Sequence, residues 1–338
     1  MAKNVRLSEA VAEYLDHLKA RGLEPLTIKN HHQPLRRAIR LWGDIYVSSI
    51  KPGHIDQLMS TTTWSARTRN GYLSNMRSGF FPWCRRNNFI PKDYDPTEGW
   101  RPSKVPSKDK TWMPVEEFPA LLDAAPSPRD RVLLAVGLFT MCRGSEVTSI
   151  KVRDVDFDRD TLFIYRQKTK EEDVLPMPIE LRDELLRWMR IYEDKCGPLQ
   201  PDWYLVPGQG KHPMAHDHTI GKLVSTGEPA PLKPTLRIGR PYMAVKRTLR
   251  IMGLDDHRAG VHLLRRSSAR AYYDLLVANG HDHALMRVGA ILGHKDTKTT
   301  QIYLGLSIER QQRNAMLAGK TMFPGMNDRG TVRNIREA

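Results

Sequence analysis

The sequence predicts a small all-α helical domain followed by a larger mixed α/β, mainly helical domain. Three observations carry that expectation. At 338 residues the chain exceeds one ordinary small domain and suits two cores. Apolar residues keep helical spacing as far as about Trp100, then give way to RPSKVPSKDK, a Pro-, Ser- and Lys-rich stretch from Arg101 to Lys110. Beyond it, helical patterns enclose a short β-rich patch between Thr161 and Met177. The expected division is a helical domain over 1–100, a basic linker over 101–112, the mixed domain over 113–320 and a polar tail over 321–338.

In order along the chain, Ser8 reads as the cap of a first helix with Val11, Tyr14, Leu15 and Leu18 on one face, stopped by Gly22. Thr27 opens a second, where Leu35, Ile39 and Leu41 alternate with Arg36, Arg37 and Arg40 before Gly43. Pro52 to Met59 reads as a third helix and Ser65 to Arg86 as a fourth. After the linker come helices over Val115–Ala125 and Arg129–Thr140, the second apolar enough to be buried. Two strands, Thr161–Tyr165 and Val174–Met177, flank the charged turn RQKTKEED. Residues 180–192 return to a helix, 201–241 is Gly-, Pro- and His-rich without an assignment, and helices resume over 242–252, 261–277 and 284–292. No internal repeat is visible.

Lys and Arg number 53 against 38 Asp and Glu, for a formal charge of +15 spread along the whole chain. That excess suits a polyanionic partner, with nucleic acid first. Arg36, Arg37, Arg40, Arg67, Arg69, Lys104 and Lys108 are the candidate contacts to a DNA backbone. Three scattered cysteines, Cys84, Cys142 and Cys196, exclude a disulfide framework or a cysteine-built zinc site. His212, His216 and His218 in KHPMAHDH lack a carboxylate or cysteine frame, so no metal is expected. No stretch approaches the roughly 18 apolar residues of a membrane span, and no signal peptide is visible, so the expectation is a cytoplasmic protein without a membrane partner.

The chemistry-bearing residues sit where helices start, stop or turn. Arg143 in MCRGSEV stands just before a helix start, a place to hold a guanidinium against an anion. His262 and Arg265 share one helix face at i, i+3 in VHLLRRSS. His294 follows the helix-ending Gly293 in ILGHKDTKTTQIYLGL, with Tyr303 further along, and Lys168 and Lys170 lie in the hairpin turn. Taken singly, Arg143 reads as a surface ion-pair partner, Tyr303 as a half-buried core tyrosine and His262 as an ordinary helix histidine.

Together and in this order, Arg143 with Glu146, a hairpin lysine, His262-x-x-Arg265, Leu292-Gly293-His294 and Tyr303 inside TTQIY resemble the tyrosine site-specific recombinases of the phage-integrase type. The likeness spans 113–320, and the N-terminal segment is similar to the family's SAM-like core-binding domain. Met141-Cys142 and Arg266 depart from the commoner pattern and leave the catalytic set intact. The chain starts directly at the core-binding helices, which implies a simpler recombinase than the lambda-like integrases.

The resemblance implies the following roles. Tyr303 attacks a phosphodiester to leave a 3′-phosphotyrosyl link, and Arg143 and Arg265 grip the non-bridging oxygens. His262 acts as general acid/base, His294 bonds near the scissile phosphate, and Glu146 orients the arginines. A hairpin lysine protonates the leaving 5′-oxygen, Lys168 being preferred over Lys170 for its spacing to Pro176. The expected partner is double-stranded DNA at an inverted-repeat attachment or core-type site, met by a homotetramer that exchanges strands through a Holliday junction. The tail over 321–338 is a candidate protomer contact, and an accessory excision or DNA-bending factor is a further candidate partner; no cofactor is expected. The lean is toward integration and excision of a phage or other mobile element. An Xer-like dimer resolvase, a type IB topoisomerase-like relaxing enzyme and a non-catalytic DNA-binding protein are the alternatives.

Overall fold

A computed structural model of the chain describes residues 3–60, 63–105, 111–167, 169–211, 214–217, 222–226, 228–254 and 260–306. The chain divides into two compact units, Met1–Lys108 and Asp109–Ala338. Helices α1 (Leu7–Ala20), α2 (Pro25–Trp42), α3 (Pro52–Met59), α4 (Ala66–Asn75) and α5 (Phe81–Arg86) build the first.

α1 buries Leu7, Ala10, Val11, Tyr14 and Leu18, the stripe that a period of 3.6 residues brings to one side. Its cap position is Arg6 rather than Ser8. Ser8 lies in the first turn, and both its N–H and its hydroxyl donate to the Asp44 carboxylate at 2.8 Å, so a distant loop satisfies this helix start. α2 starts at Pro25 instead of Thr27, since proline fits a first turn whose N–H groups have no helical acceptor.

The single helix expected over 65–86 is interrupted by a π turn, Met76–Phe80. Pro82 has no N–H to return to Ser78, and the locally widened turn absorbs that loss. Phe80 and Trp83 then meet Tyr14, with ring centroids 5.4 Å away in each case. The Tyr14 hydroxyl pairs with His31 Nδ1 at 3.0 Å, and burial pushes its phenol up to about 12. Ser103 is tied into this unit by Asn70, which donates to its carbonyl and accepts from its N–H.

The second unit contains α6 (Phe118–Asp123), α7 (Pro128–Phe139), α8 (Gly144–Val147), β1 (Val155–Asp156), β2 (Thr161–Arg166), β3 (Glu171–Pro176), α9 (Ile179–Cys196), β4 (Pro207–Gln209), β5 (Met214–Asp217), β6 (Lys222–Ser225), β7 (Leu232–Arg237), α10 (Tyr242–Ile251), α11 (Val261–Ala278), α12 (Ala284–Leu292) and α13 (Thr297–Leu304). α7 is buried nearly all round, as its continuous apolar run demands, and is capped by the Ser127 hydroxyl. Arg131 on α7 forks onto both Glu184 oxygens of α9 at 2.7 Å.

β1, β2 and β3 form an antiparallel sheet in which Leu162 faces Leu175 and Arg166 faces Glu171. Leu162, Ile164 and Arg166 alternate inward. The unassigned 201–241 region forms two small antiparallel pairs, β4 with β7 and β5 with β6. Its anchor is the Leu205 carbonyl, which accepts from Trp188 Nε1 at 2.7 Å. Thr111 and Met113 already belong to this unit: Arg266 donates to the Thr111 carbonyl, and Met113 N–H donates to Ser267. His212, His218 and the 321–338 tail lie outside the described residues. Among the described residues, no helix is long and apolar enough to cross a membrane.

Two glycines in the helical unit offer opposite outcomes. A Cβ at Gly79 would lie 2.4 Å from the Tyr14 hydroxyl, whereas one at Gly71 meets nothing within 4 Å. Gly79→Ala should destabilise the unit by about 1–3 kcal/mol through overpacking. Gly71→Ala in α4 should stabilise it by roughly 0.5–1 kcal/mol through helix propensity. Urea unfolding of the full chain, followed by tryptophan fluorescence, reads both.

Candidate active site

α7 ends at Phe139, and the chain turns sharply through Met141, whose φ of 53° is rare for a side chain with a Cβ. A distant group holds this turn: Arg265 Nη1 donates to the Met141 carbonyl. The turn presents Arg143 at the head of α8. The helix there is a single turn of four residues, too short to supply much of a dipole, and the fixing group is instead Glu146. This fully buried carboxylate accepts from Arg143 N at 2.7 Å and from its Nη1 at 2.8 Å. The Arg143 side chain stays 21% exposed, so part of its fork remains open to solvent.

Arg265, on the second turn of α11, is 1% exposed. Its Nη2 donates to the Leu292 carbonyl at 2.6 Å, and its Nη1 lies 3.9 Å from Glu146 Oε2. Glu146 therefore stands between two guanidinium groups. Burial pushes the Arg265 guanidinium down from its usual value, and the neighbouring Arg143 charge acts the same way while Glu146 opposes it. An arginine still keeps its charge in such a place.

Tyr303 lies on α13, which the sequence reading did not assign as a helix. Its start is capped by Asp296, whose oxygens accept from Thr299 N and Thr299 Oγ1 at 2.7 Å. The Asp296-x-x-Thr299 spacing and the following Gly305 are the signals that would have revealed it. Two imidazoles flank the Tyr303 ring edge-on: exposed His262 at 5.8 Å between centroids and His294 at 5.4 Å. His294 Nδ1 pairs at 3.1 Å with the hydroxyl of Thr300, a buried residue that sequence reading passed over. The Arg265 guanidinium carbon lies 5.9 Å from the centre of the same ring.

Burial pushes the Tyr303 phenol above its ordinary value near 10, while Arg265, Arg266 and Arg143 draw it back down. Burial outweighs the arginines, so the phenol is held in its neutral form while their charges lessen the cost of forming its anion. Cys142, next to Arg143, is buried and its thiol is pushed up to about 11, which removes it as a rival nucleophile.

The structure thus brings together Arg143, Glu146, His262, Arg265, His294 and Tyr303. Lys168 lies outside the described residues, and Lys170 is exposed in the hairpin turn with φ 58°. In the first unit, Arg36 and Arg40 on α2 and Arg67 on α4 are exposed, while Arg37 and Arg69 are half-buried. Among the described residues none of these five forms an ion pair with a carboxylate. Lys104 is exposed, and Lys108 lies outside the described residues.

The model of the phage integrase family matches residues 111–310. The tyrosine recombinase XerA of Thermococcus onnurineus is 23% identical over 314 residues, covering 91% of this chain and 94% of that protein. The tyrosine recombinase XerC of Chlamydia muridarum is 27% identical over 259 residues, 75% of this chain and 71% of that one. Among solved structures, a lambda integrase tetramer bound to a Holliday junction shares the fold with a TM-score of 0.64 at 17% identity, covering 89% of this chain and 78% of that chain. The XerH recombinase in a post-cleavage complex with a palindromic difH substrate does so with a TM-score of 0.62 at 18% identity, covering 89% and 82%. With the matched region spanning more than half of its length, this chain belongs to the phage integrase family and is a tyrosine recombinase, an enzyme that breaks and rejoins DNA.

Proposed function

We propose that the enzyme is a site-specific recombinase that integrates or excises a phage genome or other mobile element, with four protomers acting in the cytoplasm on two duplexes. The observation that carries the reading is that two guanidinium groups meet at the buried Glu146 while one of them, Arg265, and two imidazoles surround the Tyr303 ring. Tyr303 Oη attacks the phosphorus while Arg143 and Arg265 stabilise the charge that builds on the non-bridging oxygens. His262 takes part in moving the phenol proton, and His294 bonds the phosphoryl group. The 5′-oxygen leaves with a proton from the hairpin lysine, Lys168 being preferred, and a 3′-phosphotyrosyl link remains. A second 5′-hydroxyl then reverses the step, which leads through a Holliday junction to the exchanged strands. No nucleotide cofactor is consumed, because each step trades one phosphodiester for another.

The first unit supplies duplex affinity through Arg36, Arg37, Arg40, Arg67 and Arg69, with Lys104 and Lys108 along the linker. A second reading, dimer resolution, is favoured by the full-length likeness to XerA. The position of the captured site separates the two: the ends of a mobile element for the first, the host chromosome or plasmid itself for the second.

Three outcomes are expected. Mixed with nicked duplexes from the DNA flanking its gene and washed in SDS, the wild type should retain DNA at one short inverted-repeat site, whereas Tyr303→Phe should retain none. If the wild type holds nothing covalently yet binds duplex, the strand-transfer reading fails. Arg266→Gln should move the rising limb of the cleavage rate against pH to higher pH, since losing a cation that favours the phenolate raises its pKa. Arg36→Ala and Arg40→Ala should each weaken binding evenly across sequences and reduce the slope of log affinity against log salt by about 1.

A further inference from the structure

The inner face of β2 ends on an arginine where its alternation calls for an apolar residue. Arg166 is 3% exposed. Its Nε donates to Asp173 Oδ2 on β3 at 2.6 Å, and its Nη2 donates to the Ile291 carbonyl at 2.8 Å. The next carbonyl, Leu292, is held by Arg265. Two buried guanidinium groups thus occupy consecutive carbonyls at the C-terminal end of α12, where helix carbonyls have no helical donor and the dipole is negative.

Gly293 follows with φ 62°, and a Cβ there would lie 3.3–3.4 Å from the Arg166 guanidinium, so the chain passes directly over it on the way to His294. The main chain of Arg166 works on the other side. Its carbonyl accepts from Thr169 N at 3.2 Å and Lys170 N at 2.8 Å, closing the hairpin turn that by sequence also contains Lys168. One residue therefore joins the lysine-bearing turn to the segment that carries His294.

We propose that Arg166 is a positioning residue for strand cleavage: it locks the β2–β3 turn against the end of α12, so that the turn's lysine meets the leaving 5′-oxygen. This rests on the recombinase chemistry proposed above. In the step concerned, the Tyr303 Oη–phosphorus bond forms, the phosphorus–O5′ bond breaks, and the departing oxygen takes its proton from the lysine ammonium. Arg166 touches none of the reacting atoms. Lysine at this position would keep the charge but could not fork between Asp173 and Ile291.

The test compares two nicked substrates carrying the captured site, one with the ordinary 5′-bridging oxygen and one with a 5′-bridging sulfur, which leaves as a thiolate without needing a proton. Arg166→Gln should slow single-turnover cleavage of the oxygen substrate by roughly ten- to hundredfold, part of what a general acid contributes. The same protein should cleave the sulfur substrate at close to the wild-type rate, which also shows that it is folded. Arg166→Lys should fall between them on oxygen and match the wild type on sulfur. Equal losses on both substrates, or no loss on oxygen, would overturn the proposal. Absence of any adduct from the wild type on either substrate would overturn the recombinase reading itself, and this inference with it.

Discussion

The catalytic unit is organised around a charge that water does not reach. Arg265 is buried, and a buried guanidinium is tolerable only where carbonyls and a counter-charge replace its hydration. It takes the Met141 carbonyl from the turn after α7, the Leu292 carbonyl from the end of α12, and the field of Glu146 from α8. Three stretches distant in sequence, the turn into α8, α11 itself and the end of α12, are thereby held together. That attachment holds the turn at Met141, and Arg143 just beyond it is fixed by Glu146. In the proposed chemistry a group so held is already oriented before a phosphate arrives, and preorganisation of this kind is usually the largest single contribution in reactions that build charge on oxygen.

The end of α12 is the second consequence. Its last carbonyls would otherwise be unsatisfied among apolar neighbours such as Val288, Leu292 and Leu304. Arg166 and Arg265 satisfy two of them from opposite directions, one from the sheet and one from α11. His294 leaves this terminus and is steadied by Thr300, while close approach of Gly289 to the same threonine brings α12 and α13 together. The position of Tyr303 is thus set by packing between short helices, with hydrogen bonds fixing the imidazole beside it.

Charge is used differently in the two units. In the second, Arg131 is taken up by Glu184 and Asp123, and Arg129 and Arg247 by the buried Asp130. These arginines knit helices together. In the first, the α2 arginines have no carboxylate partner among the described residues and stand toward solvent or half-covered. A helix whose cations are left unneutralised is one whose counter-ions a polyanion can displace.

Sequence by itself determined the elements with strong periodicity and pointed to the candidate reacting groups. α3 and α12 were legible to the residue, because proline and glycine punctuate them, and the apolar run of α7 could only be a buried helix. The candidate set was legible through its order and spacing, which resemble those of the tyrosine recombinases; taken singly, each of its residues has an ordinary structural reading. Tertiary structure alone decided what depends on contacts between distant segments. The cap of α1 comes from Asp44, the turn before Arg143 is held by Arg265 on α11, and the partner of the β2 arginine is a carbonyl on α12. Local pattern is blind to these, since each satisfies a buried polar group with a donor or acceptor that the chain delivers only once it has folded.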